Sequence, residues 1–145
     1  MKYMLAKASL LMALAFPWWS SAQAIDDITT ADAIAIHEVV QSQLEALSND
    51  DAASAFELAT PEKRMLIGSP DNFLRIIKEE YNPIYRYQRV IFSRPEVVDG
   101  DAVQLVRVTD GYSRVWLAIF WMLQGEDGNW RIDGCQLLET TSVSV

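Results

Sequence analysis

The hydrophobic pattern of the chain changes its period near Ile84. Before this residue, apolar side chains recur at helical spacing, and hydroxyl residues, prolines and acids mark the starts of helices. After it, the segments are rich in Val, Ile, Tyr, Phe and Trp and are separated by Gly-containing turns. Helices followed by strands predict an α+β domain, with the N-terminal helices packed on one face of an antiparallel meander of four strands.

Four helices are predicted before the change of period. The first spans residues 30–48, can be capped by Thr29 or Thr30, and carries an apolar stripe. Asp50 can cap a short helix that runs through Leu58. Two further starts combine a hydroxyl cap, a proline and an acid, and they predict helices over 61–66 and 70–81. The stripe consists of Ala33, Ile36, Val40, Leu44 and Leu47, and the two starts are Thr60-Pro61-Glu62 and Ser69-Pro70-Asp71.

Four strands are predicted over residues 85–98, 102–109, 114–124 and 129–138. Asp99-Gly100 and Asp110-Gly111 are typical two-residue hairpin turns, and residues 125–128 suit a four-residue turn. Pro95 predicts a bulge within the first strand.

These turn lengths predict the strand register and therefore the composition of each sheet face. Arg107 is expected opposite Arg114, and Trp121 opposite Ile132. One face is then almost wholly apolar and should pack on the helices, whereas the other mixes apolar and charged residues. The predicted core face holds Val106, Val108, Val115, Leu117, Ile119, Trp121, Leu123, Trp130, Ile132 and Leu138. The predicted outer face holds Leu105, Trp116, Phe120, Met122, Cys135 and Leu137 together with Arg107, Arg114, Arg131, Asp133 and Glu139.

The mixed face has the composition of a protein interface, because Trp, Phe, Met and Arg are enriched there. It predicts a homodimer contact with five candidate residues. The alternative is a partly exposed face that long arginine side chains shield. The candidates are Arg107, Arg114, Trp116, Phe120 and Met122.

The first 24 residues have the pattern of an export signal. Lys2 and Lys7 precede an apolar run over 8–16, and Ala22-Gln23-Ala24 supplies small residues for a signal peptidase. The run is too short for a permanent membrane helix. We expect cleavage after Ala24, no stable membrane anchor afterwards, and a single domain over 25–145 in the periplasm or outside the cell.

The charge balance argues against two classes of partner. All 20 acidic residues follow Ala24, whereas 2 of the 12 basic residues precede it, so the mature chain would carry a net charge of −10. Such a surface repels nucleic acid and anionic lipid. The single cysteine, Cys135, excludes an intramolecular disulfide and is expected to be a buried, inert thiol.

The chain contains the short motifs Gln43-Leu44, Asp50-Asp51, Ala55-Phe56, Pro61, Gly68-Ser69-Pro70, Phe73-Leu74, Tyr81-x-Pro83-x-Tyr85 and Asp127-Gly128-x-Trp130-Arg131-Ile132-x-Gly134-Cys135. In this order and spacing, they resemble an exported bacterial domain-of-unknown-function family, number 4864, which looks related to the nuclear-transport-factor-2-like superfamily. The resemblance covers about residues 34–138. It implies a cone in which helices fold against a curved sheet and often enclose a pocket, but it implies no activity.

A catalytic constellation is not evident in the sequence. The predicted core face carries no acid, and the single histidine, His37, lies beside an apolar stripe, where a hydrogen-bonded structural role is usual. One His and one Cys are too few for a transition-metal site, and no glycine-rich cofactor motif is present, so we expect no metal and no cofactor. The polar candidates for a ligand pocket are His37, Gln43, Tyr81, Tyr85, Gln104 and Gln136.

Three functions remain open at this point. The first is a non-catalytic module that binds a small, largely apolar molecule or a protein. The second is an isomerase or dehydratase with His37 as the base and a tyrosine as the donor. The third is a structural dimer with a filled core. A cavity of about 300 Å³ or more that reaches His37 would favour the first two.

Overall fold

Five helices precede five strands in the computed structural model, which describes residues 27–140. The predicted export signal and its cleavage site lie outside the described residues. The α+β fold class is confirmed, because the helices pack against an open antiparallel sheet. The helices are α1 (Thr30–Ser48), α2 (Ala52–Glu57), α3 (Pro61–Ile67), α4 (Pro70–Glu80) and α5 (Asn82–Tyr85). The strands are β1 (Tyr87–Phe92), β2 (Glu96–Val98), β3 (Asp101–Asp110), β4 (Val115–Gln124) and β5 (Trp130–Glu139).

The helix starts follow the predicted caps. The side chains of Thr29, Thr60 and Ser69 accept hydrogen bonds from backbone N–H groups in the first turns of α1, α3 and α4. Each bond satisfies one of the N–H groups that a helix start leaves without an intrahelical partner. One cap was predicted a residue too early, because Asp51 rather than Asp50 caps α2. None of the helices in residues 27–140 is long and apolar enough to cross a membrane.

The sheet has the order β1-β3-β4-β5, and β2 pairs with β3 beside β1. The predicted first strand is interrupted around Pro95, where Phe92 pairs with Val106 but Glu96 pairs with Val103. The interrupted strand thus uses one residue more than β3, which confirms the bulge. The predicted turn at Asp99-Gly100 is also confirmed, with φ angles of 51° and 85° that suit a two-residue hairpin.

The predicted turn at Asp110-Gly111 is wrong. Thr109 pairs with Val115, and Ser113 takes the positive φ of 63°. The cause is the Asp110 carboxylate, which accepts hydrogen bonds from the N–H groups of Tyr112 and Arg114 at 2.8 and 3.0 Å. This bonding places Asp110 at the first position of a longer turn instead of inside a two-residue one.

The turn between β4 and β5 also differs from its prediction. Gln124 pairs with Trp130, so the connection is longer by one residue. Beyond it, Met122 pairs with Ile132 but Trp121 pairs with Gly134, which leaves Asp133 as an extra, bulged residue. Trp121 is therefore not opposite Ile132.

These shifts reverse the predicted faces of β4. Ala118, Phe120 and Met122 point into the core and are at most 1% exposed. A register shift of odd length moves every side chain of a strand to the opposite face. The prediction holds for Val106, Val108, Trp130 and Ile132, which are buried, but Cys135 and Leu137 replace Leu138 on the core side.

The core lies between the helices and one face of the sheet. Its largest fully buried side chains come from α1, α5, β3 and β4, and include Ile36, Leu44, Leu47, Ile84, Val106, Val108, Phe120 and Met122. The first and last elements are also joined by a polar contact, in which the indole N–H of Trp130 donates to the carboxylate of Asp32 at 3.1 Å.

The opposite face of the sheet, here called the outer sheet face, carries the alternate side chains of the strands. Most of its members are apolar and half-buried or exposed. They are Ile91, Val103, Leu105, Arg107, Leu117, Ile119, Trp121, Leu123, Gln136 and Leu138.

Candidate functional site

A pocket of about 310 Å³ lies between helices α3 and α4 and strand β5. Its lining is mostly apolar, and its few polar residues come from α1, α3, β5 and the junction between α4 and α5. This composition is typical of sites for small molecules. The lining residues are Gln43, Ala59, Lys63, Ile67, Phe73, Ile76, Ile77, Tyr81, Ile132, Asp133, Gly134 and Cys135.

Two local features create the walls of this α4–β5 pocket. In α4, Phe73, Ile76 and Ile77 follow the three- and four-residue spacing that puts them on one side of the helix. In β5, the bulge at Asp133 interrupts the alternation of the strand, so a charged residue lines an otherwise apolar wall.

The hydroxyl of Thr60 holds Asp133 in place, because it donates to the Oδ1 atom at 3.0 Å. Lys63 lies one turn further along α3, and it forms no salt bridge within residues 27–140. The ammonium group of Lys63, a lining residue of the pocket, is therefore not paired with an acid of the described residues.

Two of the six predicted candidates, Gln43 and Tyr81, line the α4–β5 pocket. The Gln43 side chain donates from Nε2 to the carbonyl of Ala55 at 3.2 Å, which leaves its own carbonyl oxygen as an acceptor. The Tyr81 hydroxyl donates to the carbonyl of Cys135 at 3.4 Å. Both side chains thus offer polar atoms beside apolar walls.

Two titratable groups of the pocket stay protonated at neutral pH. Burial raises the pKa of the Tyr81 hydroxyl, and Cys135 and Glu80 raise it further. Burial also raises the pKa of the Cys135 thiol to about 12. Neither group supplies a nucleophile or a base, because each stays neutral.

The other predicted pocket residues lie elsewhere. His37 borders a separate, more open groove, where its ring lies 4.3 Å from that of Phe92 and its Nε2 atom is 2.9 Å from Gln41 Oε1. The hydroxyl of Tyr85 donates to Asp50 at 2.5 Å. Neither His37 nor Tyr85 lines the α4–β5 pocket.

Gln104 and Gln136 are separated by the sheet. Gln104 is fully buried and donates to the carbonyls of Ser93 and Leu105 at 2.7 and 2.9 Å. Gln136 is exposed and pairs with Ile119 on the outer sheet face. Neither residue lines the α4–β5 pocket.

The five predicted interface residues also separate. Phe120 and Met122 are buried in the core, and Trp116 packs against the core while its indole donates to Asp110 at 2.9 Å. These three were misplaced by the wrong register, whereas Arg107 does lie exposed on the outer sheet face. Arg114 follows the turn and forms a salt bridge with Asp110 at 3.3 Å.

A larger groove of about 570 Å³ runs beside α1 and the start of β5. Charged side chains line it, including Glu38, Glu57, Arg64 and Arg131. It is an open polar surface groove, and it is less suited than the α4–β5 pocket to desolvating an apolar ligand.

One protein-family model, described as a domain of unknown function (DUF4864), matches residues 29–145. The chain belongs to this family. A search of the curated proteins and a search of the solved structures found no match. The DUF4864 match confirms the family part of the sequence resemblance.

The predicted core face of this DUF4864 domain carried no acid, but the structure places two acids, Asp110 and Asp133, in buried or half-buried positions. Burial alone would raise the pKa of Asp110, but hydrogen bonds from the Trp116 indole and from the N–H groups of Arg114 and Tyr112 lower it. The Asp110 carboxylate thus accepts hydrogen bonds from its own hairpin. Asp133 is the acid that lines the pocket. Within residues 27–140, no three His, Cys, Asp or Glu side chains lie close enough to hold a metal ion.

Lys63, Asp133 and Phe73 were not predicted as pocket residues. The spacing of Phe73, Ile76 and Ile77 was a signal for a buried helix face that could have indicated one wall. The position of Asp133 carried no comparable signal, because it depends on a bulge in β5 that the hydrophobic pattern does not reveal.

Proposed function

We propose that this chain is an exported, non-catalytic module that binds a small, largely apolar molecule in the α4–β5 pocket. The observation that carries the proposal is the composition of the pocket, whose apolar walls surround about 310 Å³ and include four residues with free or partly free polar atoms. A volume of this size lies at the lower end of the range of about 300–1,000 Å³ for small-molecule sites.

The polar residues of the pocket orient the ligand. Lys63 offers a cation, and Gln43 offers a carbonyl oxygen beside the apolar wall formed by Phe73 and Ile77. A ligand with an apolar body and one polar end satisfies both parts of this lining. Apolar contact provides affinity, and the few polar groups provide orientation.

The protonation states of Tyr81 and Cys135 support the proposal that the pocket is non-catalytic. Tyr81 and Cys135 both have raised pKa values, so they act as neutral donors at pH 7. The histidine that acid–base catalysis would use borders a different groove. Binding requires no proton transfer and is compatible with this arrangement.

Export is supported by the sequence of residues 1–24, with its two lysines, apolar run and Ala-Gln-Ala ending. We propose the periplasm or the extracellular space as the location. The proposed relation to the nuclear-transport-factor-2-like superfamily is supported by the arrangement of helices over one face of an antiparallel sheet.

A thermal-shift screen of small amphipathic molecules tests the proposal, because a ligand that binds only the native state raises its stability. Ala59→Leu, which fills the pocket, should abolish the shift produced by a hit. Ala53→Leu places the same change at an exposed position of α2 and should leave the shift intact. A hit that stabilises both variants equally contradicts binding in this pocket.

A second candidate function is proton transfer in the same pocket. It is favoured by one observation, namely that Asp133 and Tyr81 line the same apolar cavity. A substrate oxygen would replace the carbonyl of Cys135 as the acceptor of the Tyr81 hydroxyl. A carboxylate base and a neutral hydroxyl donor are the groups that enolisation requires. This candidate replaces His37 by Asp133 as the base.

Solvent exchange distinguishes the two functions. A ligand with an acidic C–H bond, incubated with the protein in D₂O, should take up deuterium faster than in buffer if Asp133 acts as a base. Asp133→Asn should then abolish the exchange without abolishing the thermal shift. Binding without accelerated exchange supports the non-catalytic module.

A further inference from the structure

The outer sheet face is a contiguous apolar surface that the helices leave uncovered. The core cluster joins helix side chains to the inward residues of the strands, and among the described residues it contains none of Leu105, Leu117, Ile119 or Trp121. Ile91, Leu123 and Leu138 are 51%, 48% and 43% exposed. Apolar patches of this extent on a soluble domain mark interaction surfaces.

The size of this face matches a protein interface. Strands β3, β4 and β5 each have 10 residues, and β1 and β2 both pair with the same edge of β3 and together form a fourth strand position. These four positions present a face about 33 Å long and about 19 Å wide, or about 600 Å². Two such faces bury about 1,200 Å² together, which reaches the range of specific interfaces.

The strand register defines three central rows of residues across the outer sheet face. Leu123 lies beyond them, where it pairs with Arg131. The arginine row contains Ile91, Arg107, Leu117 and Leu138. The middle row contains Leu105, Ile119 and Gln136. The glutamate row contains Glu96, Val103, Trp121 and Gly134. A positive and a negative side chain thus lie on opposite sides of an apolar centre.

This charge pattern is complementary to itself under one particular two-fold rotation. Consider a two-fold axis that lies in the interface, perpendicular to the strands, along the middle row. The rotation about it places the arginine row of each copy opposite the glutamate row of the other. Arg107 then lies near Glu96 of the second copy, and Ile119 lies at the centre. An axis along the strands would instead bring two Arg107 side chains together, which is unfavourable in a desolvated interface.

We infer that a second copy of this chain covers the outer sheet face, in a two-fold dimer whose axis crosses the strands along the middle row. The contact is isologous, since each copy contributes the same patch. The two sheets pack face to face at about 10 Å, and Arg107 of each copy pairs with Glu96 of the other. The inference is independent of the α4–β5 pocket, which lies on the helix side.

Sedimentation equilibrium of the full chain, expressed in a host that can process it, tests the dimer from low to high micromolar concentration. The native chain should have the mass of a dimer, and Ile119→Asp should weaken association by at least about a hundredfold, because it buries a charge at the centre. Met65→Asp changes a residue of α3 that is 82% exposed and should leave the mass unchanged. A monomer at every concentration overturns the inference.

The charge pair tests the orientation of the two copies with variants at exposed positions, where folding is not at risk. Arg107→Glu and Glu96→Arg should each weaken the dimer about tenfold, and the double variant should recover most of that loss. Single variants without effect, or a double variant weaker than both, contradict the proposed axis. A dimer that Ile119→Asp leaves intact contradicts the surface itself.

Discussion

Thr60 and Asp133 join helix α3 to the bulge of strand β5 through a hydrogen bond of 3.0 Å from the hydroxyl to Oδ1. The same hydroxyl accepts the N–H of Lys63, and the N–H of Thr60 donates to the carbonyl of Ile132 at 3.0 Å. One residue therefore caps the helix, pairs with the edge strand and orients the acid that lines the pocket.

Replacing Thr60 by Val should lower the free energy of unfolding by about 1–3 kcal/mol, because it removes a helix cap and the partner of a carboxylate. Thr60→Ser keeps the hydroxyl and should stay within about 0.5 kcal/mol of the native chain. Urea denaturation measures both values. Equal stability of the Val and Ser variants would show that the hydroxyl contributes nothing.

Asp110→Asn should destabilise the domain by about 2–4 kcal/mol, since the buried indole N–H of Trp116 then faces an amide that also donates. Asp110 is 3% exposed and accepts hydrogen bonds from Trp116, Tyr112 and Arg114. Glu126→Gln makes the same chemical change in an exposed turn and serves as the control. Calorimetry or urea denaturation compares the two, and a similar small effect for both contradicts the role assigned to Asp110.

The lowered pKa of Asp127 predicts that the stability of the domain depends on pH. A hydrogen bond from Arg131, followed by one from the N–H of Asn129, lowers the pKa of Asp127 to about 2. A lowered folded-state pKa stabilises the native state above the unfolded pKa of about 3.9, and this stabilisation disappears as the pH falls towards the folded value.

The stability difference between the native chain and Asp127→Asn should therefore be constant above about pH 5 and should shrink between about pH 4 and about pH 2. Urea denaturation midpoints across this range provide the measurement. A difference that grows on acidification has the wrong sign and rules out this explanation.

Cys135 should react slowly with thiol reagents in the native protein. At pH 8 a thiol with a pKa of about 12 has far less thiolate than an ordinary cysteine, so its reaction should be about a thousandfold slower than in the unfolded chain. Absorbance after addition of an aromatic disulfide reagent follows the rate, with the urea-unfolded protein as the reference. Comparable rates in the two states would show an accessible, ionised thiol.

The helices could be predicted closely because their signals are local. Thr29, Thr60 and Ser69 act within three residues of their own positions, so the sequence contains most of the information that defines each start. The predicted first helix has the same bounds as α1. Only α5 was missed, because a helix of 4 residues around Pro83 leaves almost no periodic pattern.

The register of β4 could not be predicted, because it depends on whether Asp110 lies inside a two-residue turn or at the first position of a longer one. Asp110-Gly111 suits a two-residue turn, but the Asp110 carboxylate gains three N–H donors when the turn begins one residue later, at Asp110 itself. The side chain of Trp116 takes part in that choice, and such a contact between strands is invisible to a local pattern. The error moved Phe120 and Trp121 to the wrong faces.

The candidate site was predicted only in part for the same reason. Gln43 lies on α1 and Tyr81 directly follows α4, two helices that were placed closely by the sequence, whereas Asp133 lines the pocket because of a bulge that shifts β5 by one residue. Gln136, which lies beyond the bulge, was consequently assigned to the wrong side of the sheet. Dependence on a single inserted residue is the physical reason that strand-based sites are harder to predict than helical ones.

The contact between Asp32 and Trp130 has a consequence for the nascent chain. These residues are 98 positions apart, and the tryptophan belongs to the last strand, which also pairs with β4. Contacts of such long sequence separation form late, since a large loop must close first. Helix α1 thus lacks its contacts with β5 until nearly the whole domain has emerged from the ribosome, and a prematurely terminated product lacking β5 should be recognised by chaperones and degraded.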